Sequence, residues 1–234
     1  MSTSLDPSHM KQGGSEAAKR AAGESAAEVV EDGMVVGLGT GSTAAHAIRA
    51  LGRAVDAGLD ITGVPTSFQS RELARECGIP LVDLDAASVD LAIDGADEVA
   101  GGDLVKGGGA AHAREKVVDA SADRFLVVAD PTKLADALSH PVPVEVLPVA
   151  RTTVADAVRD LGGAPSLRRA ERKDGPVVTD NGNLVLDCDL GTVEEPAPLG
   201  RALAGTPGAV EHGLFIGLAD ELHVGTEDGV TVQD

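Results

Sequence analysis

Read for its apolar and polar periodicity, the chain opens on an Ala/Glu-rich helix from Ser15 to Asp32 that Gly33 stops. The short apolar run Met34–Gly39 follows, then the turn Gly39-Thr40-Gly41-Ser42-Thr43, then a helix over Ala44–Gly58. Strand, glycine turn and helix in that order open a βαβ unit. The alternation continues with a strand over Ile61–Ser67, a helix over Ser70–Gly78, and strands over Leu81–Leu84 and Val89–Asp97. Leu104–Ser121 reads as strand, turn and helix, and Arg124–Asp130 as a further strand. Short apolar runs alternating with helices predict a doubly wound, mainly parallel sheet covered on both faces, an α/β class.

The rhythm changes near Pro141. Pro141–Pro148 is extended and punctuated by proline, Thr152–Gly163 is an amphipathic helix, and a strand is expected around Leu167–Lys173. Asn181-Gly182 between two apolar runs signals a hairpin, because that turn needs positive φ. These elements predict a second, smaller α+β domain over 140–211. The tail from His212 to Val230 returns to short buried-strand character and is expected to rejoin the first sheet. A Rossmann-like catalytic domain would then comprise 15–139 with 212–234, preceded by a flexible extension over 1–14.

Composition narrows the function. Only 1% of the 234 residues are aromatic, three Phe with neither Tyr nor Trp, which disfavours stacking platforms for single-stranded nucleic acid. Nineteen Lys and Arg stand against 38 Asp and Glu, a net charge of −19, so nucleic acid and anionic membrane are not expected partners. The acid is distributed and forms no single tail, which favours adaptation to high salt, where screening removes self-repulsion. Cys77 and Cys188 lie far apart and read as reduced thiols of a cytoplasmic protein. The six histidines lack metal-ligand spacing, so no metal is expected.

Three glycine-rich loops and one lysine could carry chemistry. Thr40-Gly41-Ser42-Thr43 opens a helix, where backbone N–H groups and hydroxyls can hold a phosphate. The same stretch fits G-x-G-x-x-A over Gly39, Gly41 and Ala44, but Asp60 begins the second strand where a dinucleotide site needs an acid at its end. A small phosphate is the favoured ligand. Asp94-Gly95-Ala96-Asp97-Glu98 follows a strand, where ligands bind in parallel sheets, although an acidic surface turn would look the same. Lys106-Gly107-Gly108-Gly109 permits close backbone approach to a ligand, and Glu115 follows on the next helix. Lys133 stands beside a strand end in a lysine-poor chain. Arg168, Arg169, Arg172 and Lys173 read as a solvated or subunit-contacting basic strand, and His46, His112 and His212 as structural.

Taken together, Gly37–Ile48, Asp94–Glu98, Lys106–Lys116 and Val128–Leu134 resemble the type A ribose-5-phosphate isomerases. The resemblance extends through Pro141–Pro148, Val177–Asp187 and Val210–Asp220, covering nearly the whole chain from about Lys19. It implies a doubly wound α/β domain with the smaller α+β unit as a ferredoxin-like lid, and interconversion of ribose 5-phosphate and ribulose 5-phosphate without metal or organic cofactor, in a homodimer or homotetramer. By position it implies Glu115 as catalytic base, with Asp94, Asp97 and Lys106 as catalytic partners. It implies Thr40–Thr43, Asp94–Asp97 and Lys106–Gly109 as substrate loops, and Lys133 and Lys19 as phosphate contacts. His112 stands where an aliphatic residue would be expected.

Aldose–ketose isomerisation independently demands such a set. One base must take and return a proton, and a cation or donors must hold the developing oxyanion. Asp94 and Asp97 would orient sugar hydroxyls, and Asp94 could help open the furanose ring. A glutamate near its ordinary value of about 4.3 is a poor base here; raising it to about 6–7 takes roughly 3–4 kcal/mol, which burial and neighbouring carboxylates can supply. Rival readings are a nucleotide-dependent oxidoreductase, which would bind NAD or NADP; a sugar-phosphate sensor, which would bind without isomerising; and a related isomerase or acyl-transfer enzyme on the same sheet. The conjunction of Asp94, Asp97, Lys106 and Glu115 weighs against all three.

The charge balance leads to a first prediction. Thermal denaturation in a KCl series should give a melting temperature that rises with salt; a flat series would refute the salt-adapted reading.

Overall fold

The computed structural model describes residues 14–233, so the expected extension over 1–14 lies, but for Gly14, outside the described residues. The first part of the chain comprises α1 (Glu16–Ala27), β1 (Val35–Leu38), α2 (Ser42–Asp56), β2 (Thr62–Pro65) and α3 (Phe68–Glu76). It continues through β3 (Val89–Gly95), β4 (Glu98–Ala100), β5 (Asp103–Val105), α4 (His112–Ser121) and β6 (Ala122–Ala129). Next come β7 (Val142–Val146), α5 (Arg151–Asp160), β8 (Ala164–Leu167), β9 (Leu184–Asp189), α6 (Pro196–Ala204) and β10 (Ala209–His212). The chain closes with β11 (Leu214–Phe215), β12 (Glu221–Gly225) and β13 (Val230–Gln233).

The main sheet runs β13-β12-β6-β3-β1-β2, parallel throughout except where β13 turns back along β12. Its central strands are apolar on both faces, as a doubly covered parallel sheet requires. In β6, Leu126 and Val128 pack with Ala22, Ile48 and Leu51 under α1 and α2, while Phe125 and Val127 pack with Ala92, Leu104 and Phe215 opposite. The same two-residue phase sorts β3: Leu91 and Ile93 face α1 and α2, Ala92 the other side. Asp94, next in the phase of Ala92, is thereby carried to the α4 side, near the sheet's C-terminal edge.

The smaller sheet is antiparallel with order β10-β7-β9-β8. With α5 between β7 and β8 and α6 between β9 and β10, the connectivity is βαββαβ, the ferredoxin-like arrangement expected from the sequence. Its core is built from Val142, Val144, Val146, Val154, Val158 and Leu203. A third sheet, β11-β5-β4, lies against the main one through Leu104 and Phe215.

Four local expectations are corrected. α1 ends at Ala27, because Val30 turns into the core beneath the sheet instead of extending the helix to Asp32. Leu81–Leu84 forms no strand: Leu81 makes one bridge to Gly63 at the sheet edge, and the chain then coils through Leu84–Ala86. The strand expected at Leu167–Lys173 lies earlier, at Ala164–Leu167, since Arg169, Arg172 and Lys173 are exposed charges with no apolar face to bury. Of the tail, β12 pairs in parallel with β6 as expected, whereas Leu214–Phe215 joins β5 in the third sheet. The Asn181-Gly182 turn is present, but only Gly182 has positive φ (83°), with Gly182 N–H donating to Thr179 O at 2.9 Å. Among the described residues no helix is long and apolar enough to cross a membrane.

α4 approaches the sheet over Gly37. A Cβ there would lie 2.8 Å from Val118 Cγ1 and 2.9 Å from the Ala92 Cβ. Gly37→Val should destabilise the fold by about 1–3 kcal/mol in urea titration; an unchanged midpoint would show that the contact is not tight.

Candidate active site

The site grows from the end of β5. Lys106 N–H donates to Gly213 O at 2.8 Å, which turns the side chain inward, and only 2% of the residue is exposed. Its Nζ lies 2.9 Å from Asp94 Oδ2 and 3.5 Å from Glu115 Oε2, donates to Gly95 O, and sits 5.3 Å from the centre of the Phe215 ring. Asp94 is 0% exposed, and its Oδ1 accepts from Thr40 N–H at 3.0 Å and Gly95 N–H at 2.6 Å. Gly39 makes this possible, since a Cβ there would lie 2.2 Å from Asp94 Oδ1.

Burial and charge set the protonation. Burial disfavours the Lys106 ammonium, but Asp94, Glu115 and Asp119 outweigh it and hold the group above the ordinary lysine range. Asp94 is raised by burial, with Lys106 and the two N–H donors pulling against the rise. Glu115 is pushed up to about 8, first by burial and then by Asp94 and Asp97, with Lys106 opposing. Its Oε2 is buried and faces the Lys106 ammonium at 3.5 Å. Asp119, the next turn of α4, is raised well above its ordinary value by burial and by Asp94.

Above this floor opens a cavity lined by Thr40–Thr43, Gly95–Asp97, Lys106–Gly109, Glu115 and Lys133. On one side stands the start of α2, capped by Gly41 with φ 109° and no capping side chain, so its first N–H groups point outward unpaired. Thr40 Oγ1 is anchored 2.8 Å from Thr66 Oγ1 and 2.7 Å from Ser67 Oγ. Lys133 projects from a short turn whose entry Asp130 holds by accepting from Thr132 N–H at 2.9 Å. Asp97 Oδ2 accepts from Gly108 N–H at 2.7 Å, tying the second loop to the third. A larger cavity of about 490 Å³ lies beside α3 and α4, but its charges are already paired, Arg71 with Asp83 at 2.6 Å and Arg114 Nε with Asn181 Oδ1 at 2.8 Å. The buried charge cluster, not volume, identifies the site.

The three loops, Glu115 and Lys133 converge as the sequence suggests, and two candidates do not line the cavity. Asp94 is 0% exposed beneath the floor, engaged by Lys106 Nζ and by the Thr40 and Gly95 N–H groups, and is not among the lining residues. Lys19 on α1 is held 3.2 Å from Glu16 and is not among the lining residues. Arg168, read as part of a solvated or subunit-contacting strand, has only 15% of its side chain exposed: it pairs with Asp187 and donates to Gly107 O at 2.8 Å. Asp119, Thr66 and Ser67 carry no sequence signal that would have singled them out. His112 is buried and neutral, its pKa lowered to about 3 by burial and then by the Arg168 charge, and its Nε2 accepts from Glu145 N–H at 3.1 Å. Among the described residues, no group of three or more His, Cys, Asp or Glu is placed to hold a metal ion.

The family model of ribose 5-phosphate isomerase A (phosphoriboisomerase A) matches residues 62–229. The ribose-5-phosphate isomerase A of Haloarcula marismortui is 78% identical over 224 residues, covering 96% of this chain and 98% of that relative. That of Halorubrum lacusprofundi is 69% identical over 233 residues, covering 94% and 97%. Among solved structures, ribose 5-phosphate isomerase A from Methanocaldococcus jannaschii superposes with a TM-score of 0.89 at 44% identity, covering 92% of this chain and 97% of that one. A D-ribose-5-phosphate isomerase in complex with phospho-erythronic acid gives 0.90 at 41% identity, with the same coverage. The acidic surface is in keeping with these halophilic relatives.

The electrostatics can be tested directly on the carboxyl group. Carbon-13 NMR of Glu115 should titrate with a midpoint near 8, and Asp97→Asn should lower it by removing a charge that opposes ionisation. A midpoint near the ordinary value of about 4.3 would refute this picture of the site.

Proposed function

Because the chain belongs to the ribose 5-phosphate isomerase A family and interconverts D-ribose 5-phosphate and D-ribulose 5-phosphate in the pentose phosphate pathway, we propose that Glu115 is the carboxylate that moves the proton. It takes the C2 proton of the open-chain aldose, and the electron pair spreads over C1, C2 and O1 as an enediolate. The O2 hydroxyl proton passes to O1 while Glu115 returns its proton to C1, which leaves the ketose with every atom accounted for. The Lys106 ammonium and N–H groups of the glycine loop face the transient oxyanion. Asp97 orients sugar hydroxyls, and Asp94 holds Lys106 in place.

The observation that carries this reading is the Lys106 ammonium buried 3.5 Å from Glu115 beneath the glycine loops. A base already pushed to about 8 is matched to a carbon acid far better than an ordinary carboxylate. The substrate phosphate is assigned to the unpaired N–H groups of α2 and to Lys133. This local attraction admits a dianion to a chain of net charge −19. Phospho-erythronic acid, bound by a structural neighbour, fits this reading chemically, since it joins a phosphate to a carboxylate whose two oxygens imitate the enediolate. We extend the reading to a cytoplasmic homodimer or homotetramer in which the ferredoxin-like unit covers the site.

A coupled assay of ribose 5-phosphate conversion, with chelator present, tests the assignment. Glu115→Gln should lower turnover by about 10²–10⁴ while substrate still binds, and Lys133→Ala should raise KM far more than it lowers kcat. Near-normal turnover in the Gln variant would remove Glu115 as the base.

A further inference from the structure

The triple-glycine loop is held from outside by a residue of the other sheet. Arg168, just past β8 and with 15% of its side chain exposed, forks onto Asp187. Its Nε donates to Asp187 Oδ2 at 2.9 Å and its Nη2 to Oδ1, while Nη1 reaches across to Gly107 O at 2.8 Å and Gly108 O at 3.1 Å. Both carbonyls therefore face the ferredoxin-like unit. The chain has no cis peptide bond among the described residues, and in a trans peptide the N–H points opposite to the C=O. The first peptide obeys this: with Gly107 O on Arg168, Gly108 N–H meets Asp97 Oδ2 at 2.7 Å on the cavity side. The second peptide follows, with Gly108 O on Arg168 and Gly109 N–H turned toward the cavity, where no acceptor among the described residues takes it.

We propose that Arg168, fixed by Asp187, is a positioning residue that aligns the glycine loop so that Gly109 N–H donates to the enediolate oxygen beside Lys106. The role rests on the reading of the site given above and adds a specific donor to it. Glycine peptides reorient at little cost, because both signs of φ are open to them, so three in a row do not hold a donor in place unaided. Arg168 on one side and Asp97 on the other remove that freedom before substrate arrives. Ala110, immediately after the loop, has φ 59° and is the sole non-glycine residue with positive φ among those described. The loop thus leaves its pinned segment through a backbone conformation that local propensity does not favour. Only a planar guanidinium can grip Asp187 bidentately and still present a nitrogen to two carbonyls.

Arg168→Met, Arg168→Lys and Asp187→Asn distinguish a positioning role from a structural one. The readouts are kcat, KM, inhibition by phospho-erythronate, inhibition by inorganic phosphate and melting temperature. Arg168→Met should lower kcat 10- to 100-fold and weaken phospho-erythronate in step with kcat/KM, with KM and phosphate inhibition within about threefold of the parent. Arg168→Lys, which keeps the charge without the fork, should recover only part of the loss. Asp187→Asn should shift the same constants by less, and it stands in should Arg168→Met not fold. Unchanged kcat and phospho-erythronate affinity, or equal weakening of phospho-erythronate and phosphate, would overturn the proposal. Glu115→Gln in parallel separates the two readings: if its turnover collapses while the Arg168 variants keep theirs, only the role of Arg168 falls.

Discussion

One ammonium group, Lys106 Nζ, organises the catalytic half of this protein. It lies between two buried carboxylates, 2.9 Å from Asp94 and 3.5 Å from Glu115. Removing an ion from water costs on the order of several kcal/mol, and a contact pair recovers about 4 kcal/mol near an effective dielectric of 20. The two contacts therefore offset the burial cost without leaving a net gain for the fold. Burial with Asp94 and Asp97 pushes Glu115 up to about 8 against the pull of Lys106, whose own ammonium the carboxylates hold above the ordinary lysine range. Asp119, one turn further along α4, is raised well above its ordinary value by the same burial.

The rest of the main sheet can be read as support for that cluster. β3 delivers Asp94 to the α4 side by its two-residue phase, and Gly37 and Gly39 lack the side chains that would hold α4 and Asp94 away. α4 presents Glu115 from its first turns, with Asp119 one turn further in. The third sheet closes the remaining side, bringing Phe215 beneath both Lys106 and Lys116. The ferredoxin-like unit contributes through Arg168, so the glycine loop is shaped by two sheets at once.

Charge works at two separate scales. Over the surface, 38 acidic against 19 basic residues produce a strongly negative chain suited to salt. Within the cavity, the positive end of α2 and Lys133 act over a few ångströms, where water and ions screen least. With the phosphate placed there, as proposed above, a phosphorylated substrate would be drawn in without changing the overall sign, because a local field of this kind acts independently of net charge.

The sequence by itself determined the architecture and most of the cavity lining. Alternating apolar runs and helices specify a parallel sheet, whose loops must emerge at one edge, and the glycines at 41 and 107–109 mark where backbone lines the cavity. Such signals are local, written in two- and three-to-four-residue periods and in turn chemistry. What only the tertiary structure decided is which charges are buried and what they touch. Asp94 lies beneath the floor instead of in the cavity, Lys19 stays with Glu16, and Arg168 reaches from a second sheet to the glycine loop. A lysine or arginine at a strand end has the same local pattern whether its long side chain enters water or the interior. The choice depends on carboxylates and carbonyls brought from distant parts of the chain, and no local periodicity encodes their arrival.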